Sequence, residues 1–279
     1  MAEMTKQELF STALLAFINE SEGGYLKEFC EVLTQDGGET ATFNRLKEAT
    51  GVDGVESMFD SNTNDDGGDM EEFKATIRFV SAKQKIKKED MNKTKIDIKS
   101  SYVQSLGRAV DRKVDIKILD AIKSKNDELA EVGSAVETVE GQAKLIIGAI
   151  IGARSAAEVT PDGKQGVALV MNKKDWTGLS TSDYVLNSDY SKAFGGSEIG
   201  AGSTFFGAKV VFLPSVASGT MYVIPSNAVG FAEWEGQNSA VAPYYETDGM
   251  RYHCQAVKSG GAVCIEPSVI TKVTSKPIV

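Results

Sequence analysis

The sequence predicts a mixed α+β fold, and three observations support this prediction. Two stretches, over about 101–124 and 134–152, repeat apolar residues at the three- and four-residue steps of amphipathic helices. Further along the chain, a buried strand and a brief helix follow each other around residue 171, which is typical of α/β layering. The last part of the chain, from about residue 240, carries only strand and turn patterns.

The chain begins with a short arm. Thr5 and Glu8 form a capping box, which predicts the start of a helix. An apolar stripe at helical spacing follows, formed by Phe10, Ala13, Leu14 and Phe17. The helix is expected to end near Glu20, before two consecutive glycines. An arm with one apolar stripe needs a surface to cover.

Residues 36–99 form an excursion in which the charges are segregated. Residues 31–72 contain twelve acidic and two basic residues, a net charge of −10, whereas residues 73–99 contain nine basic and three acidic residues, a net charge of +6. Apolar residues alternate with polar ones from Phe73 through Ala75 and Ile77 to Phe79, which is the period of a half-exposed strand. Residues 60–69 indicate a flexible turn. We therefore expect a long two-stranded projection.

Both predicted helices have caps and stripes. Ser101 and Gln104 form a capping box for the first helix, and Ser134 and Glu137 cap the second. The first stripe consists of Val103, Leu106, Val110, Val114, Ile118 and Ile122, and the second of Val139, Ala143, Ile146, Ile147 and Ile150. The other face of the first helix carries charges, expected on a solvated or subunit-facing side: Arg108, Asp111, Arg112 and Asp115.

Later elements are shorter. Strands are expected over 167–171, 205–213, 221–224 and 227–234, with a brief helix that starts at Asn172 and Asp175. Strands over 244–247 and 250–257 flank the turn Asp248-Gly249. After a second turn at Ser259-Gly260-Gly261, strands over 262–265 and 269–273 are expected to complete an antiparallel meander.

Composition limits the classes of function. The net charge of −9 argues against a wide basic face that grips nucleic acid through its phosphates. No apolar run reaches the roughly 18–20 residues needed to span a bilayer. Residues 1–8 lack the basic and apolar regions of a secretory signal. With 279 residues, one large or two modest domains are expected, in a soluble protein made inside the cell.

Residues that perform chemistry are sparse. Cys30, Cys254 and Cys264 lack CxxC spacing, which favours reduced, buried thiols over a disulfide or a metal site. His253 is the single histidine, and the alternation of its strand favours a surface or interface position over a role in a catalytic triad. We predict that the protein is not an enzyme and needs no cofactor.

Three stretches of the sequence partly match the patterns of ligand-binding loops. Residues 162–165 lack the upstream Gly and the Ser or Thr of a P-loop, and residues 200–205 lack the last Gly of a dinucleotide fingerprint. Acidic and amide residues fill calcium-loop positions at Asp60, Asn62, Asn64, Asp66 and Glu71. Asp65 occupies the position that needs Gly, which favours a mobile acidic tip over a calcium site.

The order of these parts resembles that of the major capsid proteins of tailed bacteriophages, a shell-forming fold shared with encapsulins. Residues 107–122, with an arginine-aspartate pair before the step Ile118-Leu119, are similar to the spine helix of that family. Residues 168–179 resemble its central-domain strand and helix, and residues 207–229 resemble the strands that follow. The close of the chain, 261–273, is similar to its return strand to the peripheral domain.

The resemblance implies four parts and a set of partners. Residues 1–35 would be an N-terminal arm, 36–90 an extended β loop, 91–134 with 236–279 a peripheral domain, and 135–235 an axial domain. Copies would form hexamers and pentamers of an icosahedral virion capsid around packaged double-stranded DNA, assembled in the host cytoplasm. The short N-terminal part implies a separate scaffolding protein, and a portal would be a further partner; membrane contact is not implied.

Candidate contacts between subunits follow from the two charged halves of the excursion and from the predicted spine helix. They are Asp65, Asp66, Asp69, Lys83, Lys85, Lys87, Lys88, Arg108 and Arg112. Charge opposition across an interface sets orientation more than affinity. We expect the acidic half of one subunit to meet basic groups of its neighbour.

Two other functions are compatible with the sequence. An encapsulin-like nanocompartment would share the fold but enclose cargo enzymes and no genome. A soluble α/β enzyme would use carboxylates or a cation bound at residues 60–71. Particle size distinguishes both shells from the enzyme, and nucleic acid content distinguishes the two shells.

Overall fold

The computed structural model describes residues 25–46, 70–87, 101–133, 139–158, 166–180, 204–234, 238–246 and 249–275. Within these ranges the chain forms three α-helices, thirteen β-strands and three short 3₁₀ turns. The α+β fold predicted from the sequence is confirmed. The predicted arm helix lies outside the described residues.

The helices are α1 (Ser101–Lys123), α2 (Val139–Glu158) and α3 (Lys173–Ser180). The strands are β1 (Glu31–Gln35), β2 (Thr40–Leu46), β3 (Met70–Thr76), β4 (Arg78–Lys87), β5 (Ala130–Gly133), β6 (Val167–Met171), β7 (Thr204–Phe205), β8 (Ala208–Phe212), β9 (Thr220–Pro225), β10 (Val229–Trp234), β11 (Asn238–Glu246), β12 (Gly249–Cys264) and β13 (Thr271–Thr274). They form two large sheets and one two-stranded ribbon.

Helix α1 begins and ends where its capping box and apolar stripe predict. Side chains three and four positions apart lie on one face of a helix, so the stripe forms a continuous apolar surface. Four of its members are at most 1% exposed: Val110, Val114, Ile118 and Ile122. Lys123 lies in the last turn, where the helix dipole favours a positive charge.

The first sheet has the order β1-β10-β12-β11, and β4 also pairs with β12. Along β12, residues 251–260 pair with β4 and residues 261–264 pair with β10. The turn expected at Ser259-Gly260-Gly261 is therefore wrong. Pairing with two other strands keeps these residues extended, although glycine in isolation favours a turn.

The second sheet has the order β5-β13-β9-β6-β8-β7. Strand β6 has the predicted bounds, and all five of its residues are buried. Strand β13 pairs with β5 in parallel and with β9 antiparallel, so the last strand of the expected meander belongs to this sheet. The single strand expected over 205–213 is a tight hairpin, since Phe206 and Gly207 have φ values of 51° and 75°.

Helix α1 lies in a core that contains side chains from both large sheets. Residues of α1 pack there with Val170, Val211 and Ile224 of the second sheet and with Val229 and Phe231 of the first. Helices α2 and α3 cover the other face of the second sheet through a separate apolar cluster. The second sheet therefore has helices on both faces.

Helix α2 continues to Glu158, so the end predicted near Gly152 is wrong. A glycine inside a helix costs about 1 kcal/mol relative to alanine. Ala153, the next residue, is 1% exposed and belongs to the apolar cluster of the second sheet. Tertiary packing on both sides of Gly152 outweighs its low helix propensity.

Strands β2 and β3 form the ribbon, which confirms the base of the predicted two-stranded projection. The alternation expected through Phe79 is broken, because β3 ends at Thr76 and β4 starts at Arg78. Ile77 and Val80 are both buried, whereas Phe79 is 66% exposed. The change from pairing with β2 to pairing with β12 shifts the phase of the strand.

The four-part division of the chain stays a prediction. The two large sheets each draw on several of the expected parts. Strand β10, inside the range expected for the axial domain, pairs with β12 in the first sheet. Strand β13, inside the range expected for the peripheral domain, pairs with β9 in the second.

The three cysteines are free and buried, as predicted. Burial raises the pKa of the Cys254 and Cys264 thiols to about 11. Burial also raises the pKa of Cys30, with a smaller contribution from the charge of Asp115. The thiols are therefore protonated and unreactive at neutral pH.

Residues 25–30, the anchor segment, tie the start of the described chain to both sheets. The Leu26 N–H donates to Asp115 Oδ1 at 2.9 Å, and the Tyr25 N–H donates to Oδ2 at 3.3 Å. Lys27 pairs with Glu233 at 2.8 Å, and Asn227 N–H donates to the Phe29 carbonyl at 2.9 Å. Asp115, expected on a solvated or subunit-facing side, is instead 1% exposed because this segment covers it.

We predict that Asp115→Ala lowers the free energy of unfolding by about 1–3 kcal/mol, because the buried Leu26 N–H loses its acceptor. Asp115→Asn keeps an acceptor oxygen at this position, so we expect a smaller decrease in the free energy of unfolding. Urea denaturation of the unassembled subunit measures both. Equal losses in the two variants would show that the hydrogen bonds to this side chain do not matter.

We also predict that the stability of the fold depends on pH through Asp115. Burial raises its pKa from 3.8 to about 6, with a further rise from Asp111, while the hydrogen bonds from Leu26 and Tyr25 lower it. Between these values the folded chain holds a proton that the unfolded chain releases. The contribution of Asp115 to stability is therefore largest below about pH 4 and falls as the pH rises through about 6. Asp115→Asn should remove this slope, and an unchanged slope would contradict the assignment.

Candidate assembly surfaces

One face of the first sheet carries a row of basic residues. Lys83, Lys85 and Lys87 are exposed on β4 and alternate with buried or half-buried neighbours such as Ala82. Directly opposite residues of paired strands lie on the same face of a sheet. The register places Gln255, His253 and Arg251 opposite these lysines in turn. We call Lys83, Lys85, Lys87 and His253 the basic face.

Helix α1 covers the opposite face of the same strands. Cys254 and Ala256 are fully buried there, and Lys258, 3% exposed, pairs with Asp111 of α1 at 2.9 Å. A buried lysine is tolerated only with a charged or hydrogen-bonded partner. Lys117 of α1 also donates to the Gly260 carbonyl at 2.7 Å. Since α1 occupies this side, the basic face is the side that points away from the helix.

The root of the ribbon occupies one end of the sheet surface that carries the basic face. A Cβ atom on Gly261 would lie 2.3 Å from the Thr76 carbonyl oxygen, and one on Gly230 would lie 2.9 Å from the Phe43 ring. Only glycine allows the ribbon to approach the sheet this closely. Ala41, Phe43, Ala75 and Ile77 form an apolar cluster there with Ala232 and Ile265. The ribbon is therefore anchored at its root.

An aromatic pair lies beside the ribbon root. The rings of Phe79 and Trp234 are 4.8 Å apart and meet edge to face. Trp234 Nε1 donates to the Gly38 carbonyl at 2.5 Å, which fixes the indole ring. Phe79 remains 66% exposed. Phe79 lies four residues before Lys83 on β4, so an exposed aromatic side chain precedes the row of lysines along this strand.

The structure locates some of the predicted contact residues and separates them into two surfaces. Lys83, Lys85 and Lys87 share the basic face, whereas Arg108 and Arg112 are exposed on α1. Asp65, Asp66, Asp69 and Lys88 lie outside the described residues. The part that these residues play in contacts between subunits stays a prediction.

Sequence reasoning did not connect His253 to the row of lysines on the basic face. The alternation of β12 was visible in the sequence, but its partner strand lies about 170 residues earlier in the chain. Strand pairing across such a separation leaves no local signal. The adjacent glycines Gly260 and Gly261 could have indicated the position of the ribbon, because glycine in a strand often marks a close approach of another backbone.

No cluster of three His, Cys, Asp or Glu side chains suited to a metal ion occurs among the described residues. His253 is half-buried on β12 and lies opposite Lys85 in the register. Of the expected calcium-loop positions, only Glu71 is described, where it lies exposed on β3. No helix in the described ranges is long and apolar enough to cross a membrane.

Comparisons with known proteins agree on one family. The sequence model of a family described as phage capsid protein matches residues 4–276. No curated protein sequence matches the chain.

Solved structures with a similar fold include a virus-like particle from Pyrococcus furiosus, with a TM-score of 0.62 and 13% identity over 97% of this chain and 100% of that one. The capsid of the cyanophage P-SCSP1u matches with a TM-score of 0.58 and 12% identity, covering 91% of this chain and 88% of that one. Mycobacterium phage Che8 matches with a TM-score of 0.56 and 15% identity over 85% of each chain. At these identities the structures establish the similarity of fold.

We predict that Gly261→Ala displaces the ribbon root, because the added methyl group would overlap the Thr76 carbonyl. Forced repacking of this kind costs about 1–3 kcal/mol of unfolding free energy. Gly148→Ala is the control, since a Cβ there meets no atom within 4 Å and α2 gains helix propensity. Urea denaturation and limited proteolysis of the ribbon measure the effect. A Gly261→Ala variant as stable and resistant as the Gly148→Ala control would contradict the glycine requirement.

Proposed function

The chain belongs to the phage capsid protein family, and on that premise we propose that copies of it assemble through hexamers and pentamers into a closed icosahedral shell around double-stranded DNA. The observation in the structure that supports this most is the basic face beside an anchored ribbon. A sheet face that the described residues of one subunit leave exposed can be covered by a neighbouring subunit.

The proposed partner of the basic face is the segment that joins the two strands of the ribbon in a neighbouring copy. Residues 47–69 contain seven acidic residues against Lys47, a net charge of −6. Three of these acidic residues are the predicted contacts Asp65, Asp66 and Asp69. Same-face residues along a strand are about 7 Å apart, so the three lysines span about 14 Å. That span allows several carboxylates to pair at once.

Each exposed ion pair contributes only about 0.2–1 kcal/mol and weakens as salt screens the charges. One such contact does not hold two subunits together. In a closed symmetric shell every subunit makes the contact on several sides, so weak pairs act jointly. The proposal therefore predicts a shell that assembles cooperatively and whose assembly is sensitive to ionic strength.

The wider set of partners is also part of the proposal. A separate scaffolding protein would guide assembly in the host cytoplasm, and a portal would admit the DNA. The DNA would be enclosed without sequence-specific binding, and the acidic net charge of the chain disfavours broad contact with the DNA phosphates. The role of the chain is structural, with no reaction assigned to it.

A shell that encloses protein cargo and no genome is the second candidate. It is favoured by the match to the Pyrococcus furiosus virus-like particle, which extends over the whole of that chain. Nucleic acid content of particles from the native source distinguishes the two. Encapsidated double-stranded DNA supports the capsid, and particles filled with protein alone support the alternative.

We predict that reversing the three lysines of the basic face together with the predicted contact Lys88, in the variant Lys83→Glu/Lys85→Glu/Lys87→Glu/Lys88→Glu, blocks shell formation and leaves the subunit folded. Four repulsive contacts then replace four attractive ones at each interface. The control replaces the same residues with arginine, which keeps the charge and should assemble. Light scattering measures particle mass and circular dichroism measures folding. Normal particles from the glutamate variant would refute the proposed contact.

A further inference from the structure

The described residues cover one side of α1 over only half of its length. Asp115 and Leu119 lie on this side and are at most 1% exposed, Asp115 beneath the backbone of the anchor segment. Arg112 and Arg108 lie three and seven residues earlier on the same side, and both are exposed. The cover therefore stops near the point where the described chain begins.

That beginning is Tyr25, whose N–H donates to Asp115 Oδ2 and whose side chain is 65% exposed. Residues 1–24 precede Tyr25 in the sequence, so the arm is joined to the described chain beside Asp115 of α1. The N-terminal half of α1, from Ser101 to Asp115, is about 21 Å long at 1.5 Å per residue. The amphipathic helix predicted over residues 5–20 would be about 22 Å long by the same measure. The two lengths match.

Charge on the two surfaces is complementary. Residues 1–24 contain four glutamates, Glu3, Glu8, Glu20 and Glu22, against Lys6 alone. The two of them nearest to the anchor segment are Glu20 and Glu22. The uncovered side of α1 presents the guanidinium groups of Arg108 and Arg112. Arginine and carboxylate groups form the strongest of the charge-assisted hydrogen bonds.

Apolar surface is also available on this side of α1. Ala109 and Ile116 are half-buried beside the two arginines. The aliphatic stems of arginine side chains add apolar contact area while the charged heads remain accessible. The stripe of Phe10, Ala13, Leu14 and Phe17 needs such a surface to cover.

We propose that residues 1–24 pack along the N-terminal half of α1 in the same chain, with Glu20 and Glu22 beside Arg112 and Arg108. This contact is a property of one subunit and does not depend on shell formation. It assigns the two arginines to the chain's own arm. An arm that lies on a neighbouring subunit is the alternative, and the experiment separates the two.

A disulfide placed across the proposed contact tests it in the full-length chain. Ser105 lies ten residues before Asp115 on α1, and Ser124 lies nine residues after it, just beyond the end of the helix. The variant Ser11→Cys/Ser105→Cys is compared with the control Ser11→Cys/Ser124→Cys, because Ser11 lies level with Ser105 when the arm helix runs from Asp115 towards Ser101. The native cysteines are buried and do not compete. After mild oxidation, electrophoresis without reductant separates chains linked internally from chains linked to each other.

The proposal predicts an internal disulfide in the Ser105 variant, formed in assembled and dissociated protein alike, at a yield several-fold above the Ser124 control. Linked dimers would place the arm on a neighbouring copy and overturn the proposal. Equal yields in both variants, or no disulfide in either, would overturn it as well.

The charge pairing has its own test. In the Ser11→Cys/Ser105→Cys background, Arg108→Glu with Arg112→Glu should lower the yield of the internal disulfide several-fold. Adding Glu20→Arg and Glu22→Arg should restore it, because the pairs are then reversed on both sides. A yield unaffected by the arginine changes would refute the pairing. Failure of the combined reversal to restore the yield would refute it too.

Discussion

The packing of α1 between two sheets is the constraint on which the other features depend. Its apolar stripe, spaced by four residues from Val114 to Ile122, lies in a core with side chains from both sheets. Burial of each large aliphatic side chain contributes about 1.5–3 kcal/mol, so the helix fixes the two sheets to each other. The anchor segment completes this core with Leu26 and Phe29, held by the carboxylate of Asp115.

That packing also decides which surfaces remain for partners. With α1 on one face of the first sheet, lysines of β4 and their partners on β12 are left on the other face. Glycines at 230 and 261 admit the ribbon to the end of this surface and leave the basic part open. A charged sheet face is stable in water, so the basic face stays available to a neighbouring chain, and a closed symmetric shell would supply that chain at every position.

Elements with a local signal were predictable from the sequence, and elements that depend on distant pairing were not. Helix α1 and strand β6 have their predicted bounds because caps, periodicity and apolar runs are local. The continuity of β12 through Gly260 and Gly261 depends on β4 and β10, which are far away in sequence. Asp115 carries the same charge as Asp111, and only the fold of the anchor segment buries it. The lysine row was visible as a charge pattern, whereas its extension to His253 required the register of β12 and β4.

Electron cryo-microscopy of the purified full-length protein tests the central claim most directly. The account predicts closed particles of uniform diameter in which a neighbouring subunit covers the basic face of each copy. It also predicts that residues 47–69 of that neighbour lie against Lys83, Lys85 and Lys87. Monomers or small oligomers with the basic face exposed to solvent, under conditions of low salt and high protein concentration, would contradict it.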